Sequence, residues 1–136
     1  MNRFLSEMIR IIRNAYTANG TTTINSATVD MQTLGADGVL FLVGIQTAAA
    51  DNILKVQVSD NDSDWSDLTG GAVVPGASDE AQFVDVKSPP KRYVRASVAR
   101  GTSTILGDIW ELTYRNRVEP IDNTTAGTIA GVAVQG

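Results

Sequence analysis

Asp60, Asp62 and Asp64 stand at alternate positions, which is how a loop begins when its oxygens surround a hard cation such as calcium. The pattern then breaks. Trp65 occupies the place where the sharp turn needs glycine, and Gly71 the place of the closing bidentate glutamate. The segment reads as a solvated hairpin loop, and no metal is expected there. Asp108 and Glu111 are close enough in sequence to share acid–base work, but an odd spacing on a strand sends them to opposite faces. The chain has no histidine, no cysteine and no Gly-x-Ser-x-Gly elbow, so the common nucleophile and base pairs are missing. Neither catalysis nor a cofactor is expected. What remains is the chemistry of recognition, carried by cations, aromatic rings and strand edges.

The cations are unevenly placed. Residues 51–85 carry eight acids and one lysine, whereas residues 86–119 carry seven cations and three acids, within a net charge of −4. The polarity fits either solvated loops at opposite ends of one domain or a dipolar module docking on charged neighbours. A net negative chain lacks the many phosphate-facing cations that nucleic-acid binding requires, so nucleic acid is not an expected partner. Lys87, Lys91, Arg92 and Arg95 flank a diproline turn and form a polar sheet face or a docking edge. Aromatic residues make up only 6% of the chain, and alternation assigns Trp110 and Tyr114 to a buried face, which favours a core role over a sugar-binding platform.

Positioning these side chains is a matter of strands. Leu54, Val56 and Val58 alternate with Lys55, Gln57 and Ser59; Val94, Ala96 and Val98 alternate with Tyr93, Arg95 and Ser97; Trp110, Leu112 and Tyr114 alternate with Thr113 and, less cleanly, Glu111. Val39 to Val43 is apolar in both phases, as expected of a central strand covered on each side. Gln82 to Lys87 is a short strand with Val84 and Val86 inward, and β-branched residues in Thr21–Ile24 and Ala27–Met31 add one or two more. Turn residues separate the runs at Gly35–Gly38, Asp60–Asp64, Gly70–Gly71, Pro75–Gly76, Pro89–Pro90 and Arg100–Gly101. At 136 residues this is one all-β domain, an antiparallel β-sandwich of jelly-roll type with about seven to eight strands.

The ends stand apart from the 17–122 sandwich. Residues 1–16 read as a strand over Met8 to Tyr16 or as a short amphipathic helix with Phe4, Leu5, Met8, Ile11 and Ile12 on one face. The start lacks the apolar stretch of a secretory signal, and the longest apolar run, Val39 to Ile45, is too short for a membrane helix, so no membrane partner is expected. Residues 123–136 carry no charged side chain. They read either as an extended arm ordered by a neighbouring chain, with Ile129, Val132 and Val134 as its contacts, or as a disordered end.

One stretch resembles a known family. Phe83-Val-Asp-Val-Lys-Ser-Pro-Pro-Lys-Arg-Tyr-Val-Arg-Ala-Ser-Val-Ala-Arg-Gly-Thr, followed by Ile109 to Tyr114, is similar to small virion proteins encoded beside the major capsid proteins of tailed phages. Val29 to Gln32, Gly38 to Phe41 and Lys55 to Asp60 resemble the same family's earlier strands, so the likeness covers most of residues 20–120. It implies a capsid decoration or cement protein, a β-sandwich seated on the major capsid protein lattice at the outer surface of the virion, often as a homotrimer, and made in the host cytoplasm. Pro90, Lys91, Arg92, Tyr93, Arg95, Arg100 and Gly101 match its motif. Lys91, Arg92, Arg95 and Arg100, with Arg115 and Arg117 beyond them, are the expected inter-subunit contacts. Other virion roles, such as a head-fibre base, head-tail junction or tail module, and a carbohydrate-binding adhesion domain are the alternatives.

Overall fold

Valines at every second position build two stacked sheets, because β-branched side chains pack well on a pleated surface and successive residues face opposite sides. The computed structural model describes residues 9–14, 19–45, 52–74, 80–100, 104–115 and 129–135. In chain order the elements are β1 (Ile9–Asn14), β2 (Asn19–Gly20), β3 (Ile24–Asn25), β4 (Val29–Asp30), the one-turn helix α1 (Met31–Leu34), β5 (Gly38–Ile45), β6 (Ile53–Ser59), β7 (Ser66–Val73), β8 (Glu80–Lys87), β9 (Tyr93–Ala99), β10 (Thr104–Tyr114) and β11 (Ile129–Gln135). Eight of the strands have six residues or more, and three have two.

The first sheet runs β1-β10-β5-β8-β11, with β2 also on β10; the second runs β3-β9-β6-β7, with β4 also on β9. All pairs are antiparallel except β11 on β8, which is parallel from Ile129 beside Ala81 to Gln135 beside Lys87. The all-β sandwich expected from alternation is therefore the fold, with one parallel pair added. The last strand lies on the chain's own sheet and not on an arm that leaves it. Deleting it strips a strand from the molecule.

The core lies between the sheets. Val39, Phe41, Val43, Val84, Val86 and Ile109 meet Leu54, Val56, Val94, Ala96 and Val98, all without solvent exposure. The β4–α1 segment covers one end with Val29 and Met31. Ala27–Met31 thus supplies only a two-residue strand before the chain turns helical: Asp30 caps the turn by accepting from the Thr33 amide at 3.3 Å. Gly35 closes the turn at φ 59°, a left-handed conformation that glycine adopts without a Cβ penalty. Ser26 bridges the gap between β3 and β4. Its amide donates to the Ala96 carbonyl and its hydroxyl accepts from the Ala96 amide, both at 2.9 Å.

β10 corrects the reading of its faces. Ile109, Glu111 and Thr113 are the buried set, while Trp110 is exposed and Leu112 and Tyr114 are half-buried. Glu111 turns inward because Asn14 on β1 donates to its Oε1 at 3.0 Å, and the same asparagine accepts from the Ala27 amide, tying both sheets at that edge. Val39 to Val43 is likewise covered on one side only: Leu40 and Leu42 lie half-buried on the outer face.

Gln82, inward on β8, is fully buried with neither amide atom hydrogen-bonded. An unpaired buried amide loses its hydration without return. Gln82→Met, close in volume and without polar demand, is expected to raise stability by about 1 kcal/mol, seen as a higher urea midpoint at unchanged slope. A lower midpoint would mean the amide is useful where it is.

Candidate interaction surface

The outer faces of the two sheets differ in kind. On the second sheet a polar network runs from strand to strand: Lys55 Nζ reaches Asp67 Oδ2 at 3.0 Å, Gln57 Nε2 donates to Asp67 Oδ1 at 2.9 Å, and Arg95 donates twice to Gln57 Oε1 at 2.9 and 2.8 Å. The Arg95 guanidinium then lies 4.3 Å from the centroid of the Trp65 ring, a cation–π contact. Hydrogen bonds from Gln57 and Lys55 hold the Asp67 carboxyl below its usual range.

Most of the expected docking cations are engaged inside the chain. Arg92 grips Asp30 with both Nε and Nη2, at 2.9 and 2.8 Å, and its guanidinium carbon lies 5.0 Å from the centroid of the Tyr93 ring. That fork, with the Thr33 hydrogen bonds, depresses the Asp30 carboxyl far below the ordinary carboxylate value. Lys91 pairs with Asp60 at 3.4 Å, so the basic β8–β9 turn meets the acidic β6–β7 loop and part of the sequence's charge polarity is neutralised within the fold. Arg100 is only 5% exposed and donates Nε–H to the Thr22 carbonyl at 2.7 Å, which removes it from any outer contact. Arg115 is exposed at the end of β10, and Arg117 lies outside the described residues. Of the three arm residues, Val134 packs against the core, and Ile129 and Val132 stand on β11 in register with Ala81 and Val84.

The acidic loop is organised by Asn61. Its Oδ1 accepts from the Ser63 and Asp64 amides at 3.0 and 2.8 Å, while Asp62 takes φ 58° and accepts from the Thr28 hydroxyl. It is a hairpin loop, closed by an Asx turn.

The outer face of the first sheet is the unexpected feature. Register places Ile9 and Ile11 of β1 beside Tyr114 and Leu112 of β10, and Leu40 and Leu42 of β5 between Leu112 and Trp110 on one side and Asp85 and Phe83 on the other. Ile11 is 52% exposed and Trp110 36%. The charged groups of this face balance: Arg13 pairs with Asp108 at 2.5 Å, and Lys87 stands on β8 beside Asp85. The exposed apolar part of the face centres on Ile11 and Trp110, with Leu40, Leu42 and Leu112 half-buried beside them and Phe83 buried at the β8 side.

Tyr114 crosses this face. Its hydroxyl donates to Asp85 Oδ1 at 2.5 Å, over the top of β5. Burial and the neighbouring Asp85 push the phenol well above its usual range, and burial raises Asp85 although the hydrogen bond opposes it. The crossing is possible because Gly38 has no side chain: a Cβ there would collide with the Tyr114 ring. Gly38→Ala is expected to cost about 1.5 kcal/mol as the ring is displaced, measured by thermal unfolding together with loss of the tyrosine near-ultraviolet circular dichroism. An unchanged tyrosine signal would show that the ring does not depend on the glycine.

Alternation alone missed this surface because Trp110, Leu112 and Tyr114 look like the better core set. The signal that finds it is the doubly apolar β5: the described residues form two layers, so among them one of its faces has no sheet to cover it. Compared with known proteins, the chain matches no protein-family model, no curated protein and no solved structure.

Proposed function

We propose that this chain is a non-enzymatic structural protein of a tailed-phage virion: a decoration or cement protein that forms a homo-oligomer, with a trimer favoured, and seats on the major capsid protein lattice at the outer capsid surface. The observation that carries the assembly part is the apolar outer face of the first sheet, where Ile11 and Trp110 are exposed beside the half-buried Leu40, Leu42 and Leu112 while the core on the other side of the sheet is closed. The virion part rests on the resemblance carried by Lys91, Arg92, Tyr93, Arg95 and their flanking strands. A second copy of the chain is the occupant that suits the face, because among the described residues its charges, Arg13, Lys87, Asp85 and Asp108, sum to zero and favour no strongly charged partner. Sugar binding fits less well. Trp110 is the one tryptophan on this face, flanked by Leu42 and by Arg13, whose guanidinium is already paired with Asp108, where a sugar platform needs free hydrogen-bonding groups beside the ring.

β11 offers a second kind of contact. It is an edge strand without a charged residue, whereas the opposite edge, β1, carries Arg10 and Arg13. Charged edges resist further pairing and uncharged ones invite it. Modest contacts of this sort gain strength when several copies engage a lattice at once.

Light scattering of the purified chain tests the oligomer, and a reconstruction of the particle with this protein located and counted tests the role. Hundreds of copies on the shell support decoration; a few to a dozen at a vertex or tail would replace it with a fibre-base or junction role; a monomeric chain that binds a glycan array would overturn the assembly reading.

A further inference from the structure

A cleft of about 190 Å3 opens at the edge of the sandwich, between β1 and β10 on one side and the β4–α1 segment on the other. We infer that it is a binding site for an alkylammonium group. This inference is independent of the virion reading.

Glu111 lines the cleft and is 1% exposed, yet among the described residues no cation lies within ion-pair distance of its carboxylate. Its partners are the neutral Asn14 and Ser26, and Arg10 acts on it only through space. A buried carboxylate with no cation in ion-pair contact is costly, and a cation that reaches it through the cleft supplies the contact that Arg10, acting only through space, does not make. Two threonines that line the same cleft have their hydroxyl protons committed elsewhere: Thr28 donates to Asp62 Oδ1 at 2.9 Å and Thr33 to Asp30 Oδ2 at 2.7 Å. Both therefore offer lone pairs, and Thr113 lines the cleft further along β10. An ammonium is all donor, with three protons and no acceptor, which matches this set. Asp30 does not compete for it, because Arg92 and Thr33 already occupy both of its oxygens. Ile12, Val29 and Leu34 provide an apolar wall for a methylene stem. A guanidinium suits the site less, since its fork takes both carboxylate oxygens and Oε1 already accepts from Asn14. Arg10 stands at the lining as a like charge and limits affinity.

The same chemistry is carried by a lysine side chain of another protein and by a free amine, and two probes separate them. The full chain, labelled with 15N, is titrated at neutral pH with n-butylammonium and with Nα-acetyl-lysine N-methylamide, with n-pentanol as a neutral isostere. The expected result is saturable shifts of the Ile12, Thr28 to Leu34 and Glu111 to Thr113 amides, with dissociation constants on the order of millimolar for so small a ligand. Glu111→Gln weakens binding at least tenfold with an otherwise unchanged spectrum, and Arg10→Gln tightens it. Tighter binding of the lysine amide assigns the site to a protein side chain, and tighter binding of n-butylammonium to a free amine. Equal shifts with n-pentanol, undiminished binding by Glu111→Gln, or no saturable shift with either amine overturns the inference.

Discussion

Trp110→Lys is expected to leave the sandwich folded and to weaken self-association by about 100-fold. The ring is 36% exposed in the single chain, flanked by Leu42 on β5 and Arg13 on β1, so folding does not depend on burying it. Association does: a large aromatic at the middle of a dry contact commonly contributes about 2–4 kcal/mol, and the substitute adds a charge to a face whose charges now balance. Sedimentation velocity over a concentration series reads the change. Thr69→Lys, an exposed position on the second sheet, serves as the control and leaves association as it was. If Trp110→Lys assembles like the original chain, the apolar face is not the interface and the contact must be sought at the β11 edge.

The second large effect concerns charge in the core. Burial raises the Glu111 carboxyl above its usual 4.5, and hydrogen bonds from Asn14 and Ser26, with the field of Arg10, recover only part of that shift. Burial raises Asp85 in the same direction. A group whose folded value lies above its unfolded one binds more protons when folded. Its stabilising share is complete below the ordinary carboxylate range and is lost as the pH climbs through the raised value. Asp30 and Asp67 have the opposite sign: their contribution is present above the ordinary range and fades as the pH falls below it. Stability therefore peaks in mild acid, and the urea midpoint is expected to rise between about pH 7 and about pH 5. Glu111→Gln keeps an acceptor for Asn14 and removes the buried charge, so it is expected to gain about 2 kcal/mol at neutral pH and to flatten most of that slope, leaving the part due to Asp85. A loss of stability at pH 7 would show that the carboxylate is better solvated than its burial implies.

These two residues are neighbours in sequence, and together they show where reading the chain succeeds and fails. Alternation identified β6, β8, β9 and β10 as strands, chose Val56, Val84, Val94 and Val98 correctly for the core, and made the molecule a sandwich, because a period of two commits each strand to two faces whatever it pairs with. The same rule is blind to phase when both faces carry apolar residues. On β10 the more hydrophobic set, Trp110, Leu112 and Tyr114, was read as buried, while pairing with β1 and β5 and the bulge between Leu106 and Ile109 turned Ile109, Glu111 and Thr113 inward.

The cations follow the same division. Their cluster was visible in the chain, but the partners that engage them, Asp30 for Arg92, Gln57 for Arg95, Thr22 for Arg100 and Asp60 for Lys91, lie 31 to 78 positions away, far beyond any local pattern. So it is with β11, whose lack of charge was legible while its place beside β8 was not. By itself the sequence determined the class of fold and that no histidine or cysteine is at hand, since both depend on residue type and local rhythm. Which face is dry, which charges are satisfied and which edge is open were decided only by tertiary structure, because each depends on contacts that the folded chain brings together from distant segments.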